Sequence, residues 1–206
     1  MLIKNVIIGY GGHGYVVLDS LKSNGIIVSA YCEKEIKVKN PFGLTYLGEE
    51  NAPAIIAELQ LCNTYLGIGS NVVRNKIYNY FTQHNINMPS VIHRQSIVST
   101  SAIIENGSVI MPGVVINAFV KIGKAVICNS AAVIEHECEI GDFAHIAPGA
   151  VLAGGVRVGA NSFIGANSVI KQGVNIGENV IVGAGSVVIN DIPDHKKIVC
   201  NPTMFI

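Results

Sequence analysis

The chain has no tryptophan, and only 14% of its 206 residues are charged. Its 14 basic residues balance 14 acidic ones, so the formal net charge is zero. Such a balance offers no electrostatic footprint for nucleic acid or an anionic membrane. Long apolar runs are also missing. The mean hydropathy of +0.45 is high, yet no stretch approaches the roughly 20 apolar residues that a spanning helix needs. The opening, Met1-Leu-Ile-Lys-Asn-Val-Ile-Ile-Gly9, is too short and glycine-interrupted to read as a signal peptide. The five cysteines (Cys32, Cys62, Cys128, Cys138 and Cys200) are odd in number and contain no Cys-x-x-Cys pair. They read as reduced thiols of a cytoplasmic protein, with Cys128 and Cys138 as core substitutes. High hydrophobicity without tryptophan suits a repeat protein that also buries its flanks in an oligomer.

What is present is a period. Every sixth residue from Val98 to Val188 is Ile, Leu or Val, except Cys128. The residues four further on, from Ala102 through Ser108, Val114 and onwards to Ile192, are mostly small or β-branched. A period of six fits neither a helix face nor a heptad. Short extended segments joined by tight turns do fit it, with one aliphatic and one small residue turned inward per hexad. Turn residues recur where required: Met111-Pro-Gly, Gly141-Asp, Ala147-Pro-Gly, Ala153-Gly-Gly, Gly177-Glu-Asn. Three hexads close a triangular coil, and sixteen make about five coils stacked on a ladder of Ile and Val.

The residues ahead of the repeat read differently. Lys4–Ile8 is an apolar strand, followed by Gly9-Tyr-Gly-Gly-His-Gly14 and a helix expected from Tyr15 to about Asn24. Ile26–Tyr31 reads as a second strand, and Glu33 stands nineteen residues beyond Gly14. That pattern satisfies the template of a dinucleotide-binding turn. Only about 90 residues precede the repeat, enough for one βαβ-type half and one nucleotide, so NAD is not expected. Asn51–Leu61 reads as a short helix, Thr64–Ile68 as a third strand ending at Gly69-Ser-Asn71, and Val72–Asn85 as a helix carrying Arg74. The expected division is 1–92, a Rossmann-like domain, and 93–206, the solenoid with its tail.

The hexads resemble those of hexapeptide-repeat acyltransferases. That likeness implies a left-handed parallel β-helix, a homotrimer and acetyl-CoA as co-substrate. Residues Ile110-Met-Pro-Gly-Val-Val-Ile-Asn-Ala118 and Val133-Ile-Glu-His-Glu-Cys-Glu-Ile-Gly-Asp-Phe-Ala-His-Ile-Ala-Pro-Gly-Ala150 are similar to the sialic-acid O-acetyltransferase-like family. Within it they look most like the bacillosamine-pathway N-acetyltransferases of UDP-linked 4-amino sugars. The resemblance makes His136, at a turn position within Glu135-His136-Glu137, the proton acceptor, with Glu137 assisting; Glu135 is the physical alternative. A sugar ammonium must lose a proton before attacking a thioester, and histidine suits that task near neutrality. The same likeness places His145 against the thioester and Asn129 beside the catalytic pair, where it could hold the sugar or His136. It maps the pantetheine track onto Gly154, Gly155, Ala166 and Ala184. UDP-sugar contacts map onto Gly12, His13, Gly14, Glu33, Lys34 and Gly69.

Two departures from the family stand out. Paired aspartates are replaced by Glu33-Lys34, and the common Gly-x-Pro-Ala-Lys by Cys200-Asn-Pro-Thr-Met. His93 reads as structural, and His84 and His195 carry no argument. The expected activity is acetyl transfer from acetyl-CoA to the 4-amino group of a nucleotide-linked 4-amino-4,6-dideoxy sugar, with UDP, dTDP and GDP all open. No metal is implied. Sugar O-acetylation by the same site is the rival among enzymes, and a non-catalytic solenoid scaffold is the rival from another class.

Overall fold

A computed structural model describes residues 4–199, so the departure at Cys200-Asn-Pro-Thr-Met lies outside the described residues. The N-terminal domain runs β1 (Lys4–Ile8), α1 (Gly12–Ser23), β2 (Ala30–Cys32), β3 (Thr45–Gly48), α2 (Pro53–Leu59), β4 (Cys62–Leu66) and α3 (Asn71–Gln83). The strands form one parallel sheet in the order β3-β2-β1-β4. Helix α1 begins three residues before the expected Tyr15, because tertiary packing overrides the low helix propensity of Gly12 and Gly14. β2 is shorter than expected and β4 starts two residues earlier. β3 was not anticipated. No residue of it is fully buried, so its sequence shows no apolar run.

From Val91 onwards every strand has two residues, and each pairs in parallel with a strand of the next coil. Ile127 and Cys128, for example, lie beside His145 and Ile146, eighteen residues on. The strands form three sheets of seven, six and five, giving a left-handed parallel β-helix. The solenoid starts at Val91–Ile92 and is closed by Lys197–Ile198, which carries it beyond the five or so coils expected.

The inward ladder is as the period requires. Each sixth residue from Ile110 to Val188 is buried, Cys128 among them with no exposed surface. Burying such a side chain contributes about 1.5–3 kcal/mol. The second inward column, Ser108 to Ile192, is buried as well. Its serines need partners, and the stacking supplies them. Ser162 Oγ donates to the Gly177 carbonyl at 2.7 Å and accepts from Val180 N at 2.9 Å. Ser108 does the same with Gly123 and Val126. Cys138 follows suit, its Sγ donating to the Ala153 carbonyl. Burial pushes the Cys128 and Cys138 thiols up to about 12 and about 11, so both stay protonated.

A third column sets the corners. Every sixth residue from Gly107 to Gly185 has positive φ. Six of these are glycine and three are asparagine, but Phe119, Ala125, Ala131, Glu137 and Phe143 hold the middle of the column. Each such L residue costs about 1 kcal/mol or more. In return its N–H turns onto the coil before: Ala131 N donates to Pro112 O, Glu137 N to Ala118 O and Phe143 N to Lys124 O, all at 2.8–3.0 Å.

The outward residues make three unlike faces. One carries Val91, Val109, Ile127, His145 and Phe163, and the N-terminal domain docks there, leaving the first four buried. The next carries only aliphatics: Ile97, Val115, Val133, Val151, Val169 and Val187. The third carries a charged ladder in which Glu139 pairs with Lys121 at 3.0 Å and Arg157 at 3.6 Å.

The serine column is a test of the packing. Ser162→Ala puts a more apolar side chain into the core, yet it strips partners from the Gly177 carbonyl and Val180 N–H. Stability should fall by about 1–3 kcal/mol, read from the urea midpoint; an unchanged midpoint would show that these bonds contribute nothing net.

Candidate active site

The turn after β1 and the N-terminus of α3 enclose a cleft of about 340 Å³. Gly12, His13, Glu33, Lys34 and Gly69 all line it, as do Gly11, Glu50 and Ile68. Gly9 takes φ +86°, which lets the strand reverse directly into α1. Gly11, the N-cap of α1, has no side chain with which to cap it. The first amides of α1 therefore remain free to meet an anion. A Cβ on Gly12 would meet nothing within 4 Å, so this glycine leaves open space rather than relieving a clash. Gly14 differs. It is buried, and a Cβ there would run into the Gly9 carbonyl; its job is helix-to-strand packing. Glu33 accepts from Tyr10 N at 3.1 Å and lies 3.4 Å from Lys37 Nζ. A larger groove of about 580 Å³, reaching Asn51 and Tyr80, shares Lys34 and Glu50 with the cleft.

Behind the cleft lies Arg74, with no exposed surface. Its guanidinium donates to the carbonyls of Ile68 and Gly69 and to Asn71 Oδ1 on its own domain. Across the junction it donates to the carbonyls of Ala125 (2.7 Å), Phe143 (2.7 Å) and Ala144 (3.3 Å) on the solenoid. Burial lowers its pKa to about 9, which leaves it a cation at neutral pH. Two histidines stand beside it, with ring centroids 6.4 Å apart. Burial, and then the Arg74 charge, lower His13 to about 4; burial, Arg74 and His13 lower His145 to about 3. Both are neutral at physiological pH.

The His145 tautomer follows from its neighbours. Asn129 Oδ1 accepts from Ser130 N at 2.9 Å, so its Nδ2 faces His145 Nε2, 3.1 Å away. The amide donates there, which leaves the single ring proton on Nδ1. That Nδ1 is buried with no hydrogen-bond partner, and so is His13 Nε2.

His136 is elsewhere. It occupies the corner between the aliphatic and charged faces, half exposed, with Nδ1 3.1 Å from Glu137 Oε2. Glu135, the alternative partner, instead accepts from Asn117 Nδ2 at 2.8 Å. The His136 ring lies over Gly154, one coil below, where any Cβ would come within 2.6 Å of Nε2. Gly154 thus leaves room for the histidine, and Gly155 below Glu137 faces open space. Ala166 and Ala184 stand on the opposite edge of the aliphatic face, at the corner that also holds Asn129. One chain therefore unites His13, His145 and Asn129, but keeps His136 on another corner.

Comparison with known proteins agrees with this architecture. Residues 4–81 match the PglD N-terminal domain, and residues 155–189 the hexapeptide repeat of succinyl-transferase. Among solved structures, PerB from Caulobacter crescentus, in complex with CoA and GDP-perosamine, is 36% identical (TM-score 0.90, covering 97% of this chain and 95% of that one). The acetyltransferase domain of PglB from Neisseria gonorrhoeae, in complex with acetyl coenzyme A, is 32% identical (TM-score 0.90, 97% of each chain). The chain belongs to the hexapeptide-repeat sugar acyltransferases.

Of the residues expected to meet the nucleotide-sugar, Gly12, His13, Glu33, Lys34 and Gly69 line this one cleft; Gly67 and Glu50, which also line it, and the burial of Arg74 behind it were not expected from the sequence. Gly67 packs against Gly9 and Gly14 so tightly that a Cβ would lie 2.8 Å from Gly14 Cα. An isolated arginine on a polar helix gives no signal of its burial, whereas a third glycine after a strand could have been read as part of the same turn.

Two outcomes are expected. Gly14→Ala should destabilise the N-terminal domain, whereas Gly12→Ala should leave the melting temperature unchanged within error; equal effects would refute the distinction. His13 and His145 have folded pKa values below 6.5, so the unfolded chain binds more protons as the pH drops below 6.5. Stability should then decline from about pH 6.5 towards pH 4. His13→Asn should flatten part of that slope in urea titrations, and a level profile in the wild type would show that neither ring is held neutral.

Proposed function

We propose that the protein transfers the acetyl group of acetyl-CoA to the amino group of a nucleotide-linked amino sugar, most specifically the 4-amino group of a UDP-linked 4-amino-4,6-dideoxy sugar. The observation that carries this reading is the His136–Glu137 pair. Glu137 holds Nδ1–H, so Nε2 is free to accept a proton. His136 Nε2 takes that proton from the sugar ammonium, and the amine attacks the thioester carbonyl. His136 passes that first proton to solvent; as the C–N bond forms it takes the second proton from the nitrogen, and as the C–S bond breaks it gives this proton to the CoA thiolate. The relatives support the ligand classes: PerB holds CoA with GDP-perosamine, and PglB holds acetyl coenzyme A. The neutral, buried His145 suits an uncharged hydrogen bond better than a charged one.

The assembly we propose is a homotrimer with the aliphatic face turned to the threefold axis. That arrangement buries the column Ile97 to Val187. It also brings the His136 corner of one subunit to the opposite edge of its neighbour, which carries Asn129, Ala166 and Ala184. The proposed pantetheine track, split between two corners in one chain, becomes continuous between two chains. The nucleotide cleft, next to Asn129, then faces the neighbour's His136.

Purified protein should acetylate a UDP-linked 4-amino sugar with acetyl-CoA, and the product should resist hydroxylamine as an amide does. A hydroxylamine-labile acetyl group alone would point to O-acetylation and overturn the reading. His136→Ala should lower kcat by roughly 10²–10⁴-fold, and retention of a third of the activity would remove His136 as the base. Mixing His136→Ala with Gly12→Val subunits should restore up to about a quarter of wild-type activity, since random trimers rebuild that share of intersubunit sites. No recovery would place both residues on one chain.

A further inference from the structure

Arg74 has no carboxylate partner among the described residues, although it is fully buried. A buried cation balanced only by carbonyl and amide oxygens is costly unless something gains from its charge. Two of its acceptors, the carbonyls of Ile68 and Gly69, belong to residues lining the cleft. In a trans peptide the C=O and the following N–H point in opposite directions. A guanidinium that draws those two carbonyls to itself therefore turns the Gly69 and Ser70 amides away from it. Neither amide donates to the backbone elsewhere in the domain. The arginine also polarises both peptide units, and hydrogen bonds in such a chain strengthen one another.

We infer that Arg74 is a positioning residue for the anionic part of the substrate, acting through the Ile68–Gly69 and Gly69–Ser70 peptides. The two amides form the second wall of an anion site whose first wall is the uncapped start of α1. This rests on reading the cleft as the seat of a nucleotide-sugar diphosphate. It explains why a charge is buried there, which a packing role would not require. It also ties substrate to the solenoid, because the same guanidinium holds the Phe143 and Ala144 carbonyls immediately before His145. A diphosphate drawn to Gly69 is thereby set at a fixed distance from that ring. The amides of α1 alone could bind phosphate, but they have no such link to the coil.

Calorimetry on the intact protein with UDP, GDP and CoA, for wild type, Arg74→Gln and Arg74→Lys, tests this. Arg74→Gln should weaken the preferred nucleoside diphosphate by at least about tenfold and leave CoA within about twofold. Arg74→Lys, which keeps the charge but cannot reach all six acceptors, should fall between. Equal losses for both ligands, or an unchanged nucleotide affinity, would overturn the inference. Should Arg74→Gln fail to fold, amide spectra of the wild type titrated with inorganic pyrophosphate decide the matter. Gly69 and Ser70 should shift together with Gly12, His13 and Gly14; a response confined to the α1 residues would overturn it. If Gly69 and Ser70 respond but no amino sugar is acetylated, the substrate reading falls and the role of Arg74 stands. No response anywhere in the cleft would remove both.

Discussion

Up to Val188 each strand residue of the solenoid sits directly beneath the one eighteen positions earlier, at the 4.7–4.9 Å spacing of paired strands, and in the closing coil the offset is sixteen. That register governs the rest of the molecule. It converts a chemical choice made once per coil into a column: an Ile/Val ladder inside, bonded serines beside it, left-handed corners at the edges. It also gives each outer face one outward residue per coil. The aliphatic, charged and domain-bearing faces are therefore not accidents of surface composition. They are single columns read down the stack.

The N-terminal domain obeys the same register. Helix α3 runs along the corner whose left-handed residues are Gly107, Ala125, Phe143 and Asn161. Tyr78 leaves no room for a Cβ on Gly107, Arg74 takes the carbonyls of Ala125 and Phe143, and Asn71 and Asn75 bond Asn161. A helix pitch of 5.4 Å is close enough to the coil spacing that one helical turn meets one coil over three or four rungs. The domain is held by matching periods, with Arg74 at the centre of the match.

This explains what could be read from sequence. The inward columns were legible because burial restricts Ile110 through Val188 to aliphatics, and Cys128 was correctly a substitute. The corner column was only half legible: Gly and Asn announce left-handed backbone, whereas Ala131, Glu137 and Phe143 do not. Their conformation is imposed by the coils on either side. The glycine turn was legible, but not the division of labour between Gly12, which leaves space, and Gly14, which packs. The approach of His13 to His145, 132 residues later, could not be seen, since it depends on how two domains dock. Asn129 illustrates the same limit. Within one chain it holds His145, and nothing in its hexad announces that partner.

The columns also restrict how such a chain can change length. Adding one hexad would rotate every later segment by one face, carrying the charged ladder onto the domain-bearing side and the valines into water. Adding eighteen residues below Val182 would merely lengthen the prism by one storey, with the glycine turn, Arg74 and the His136 corner left where they stand. Insertions and deletions in this family of shapes are thus quantised, and the quantum is a whole coil.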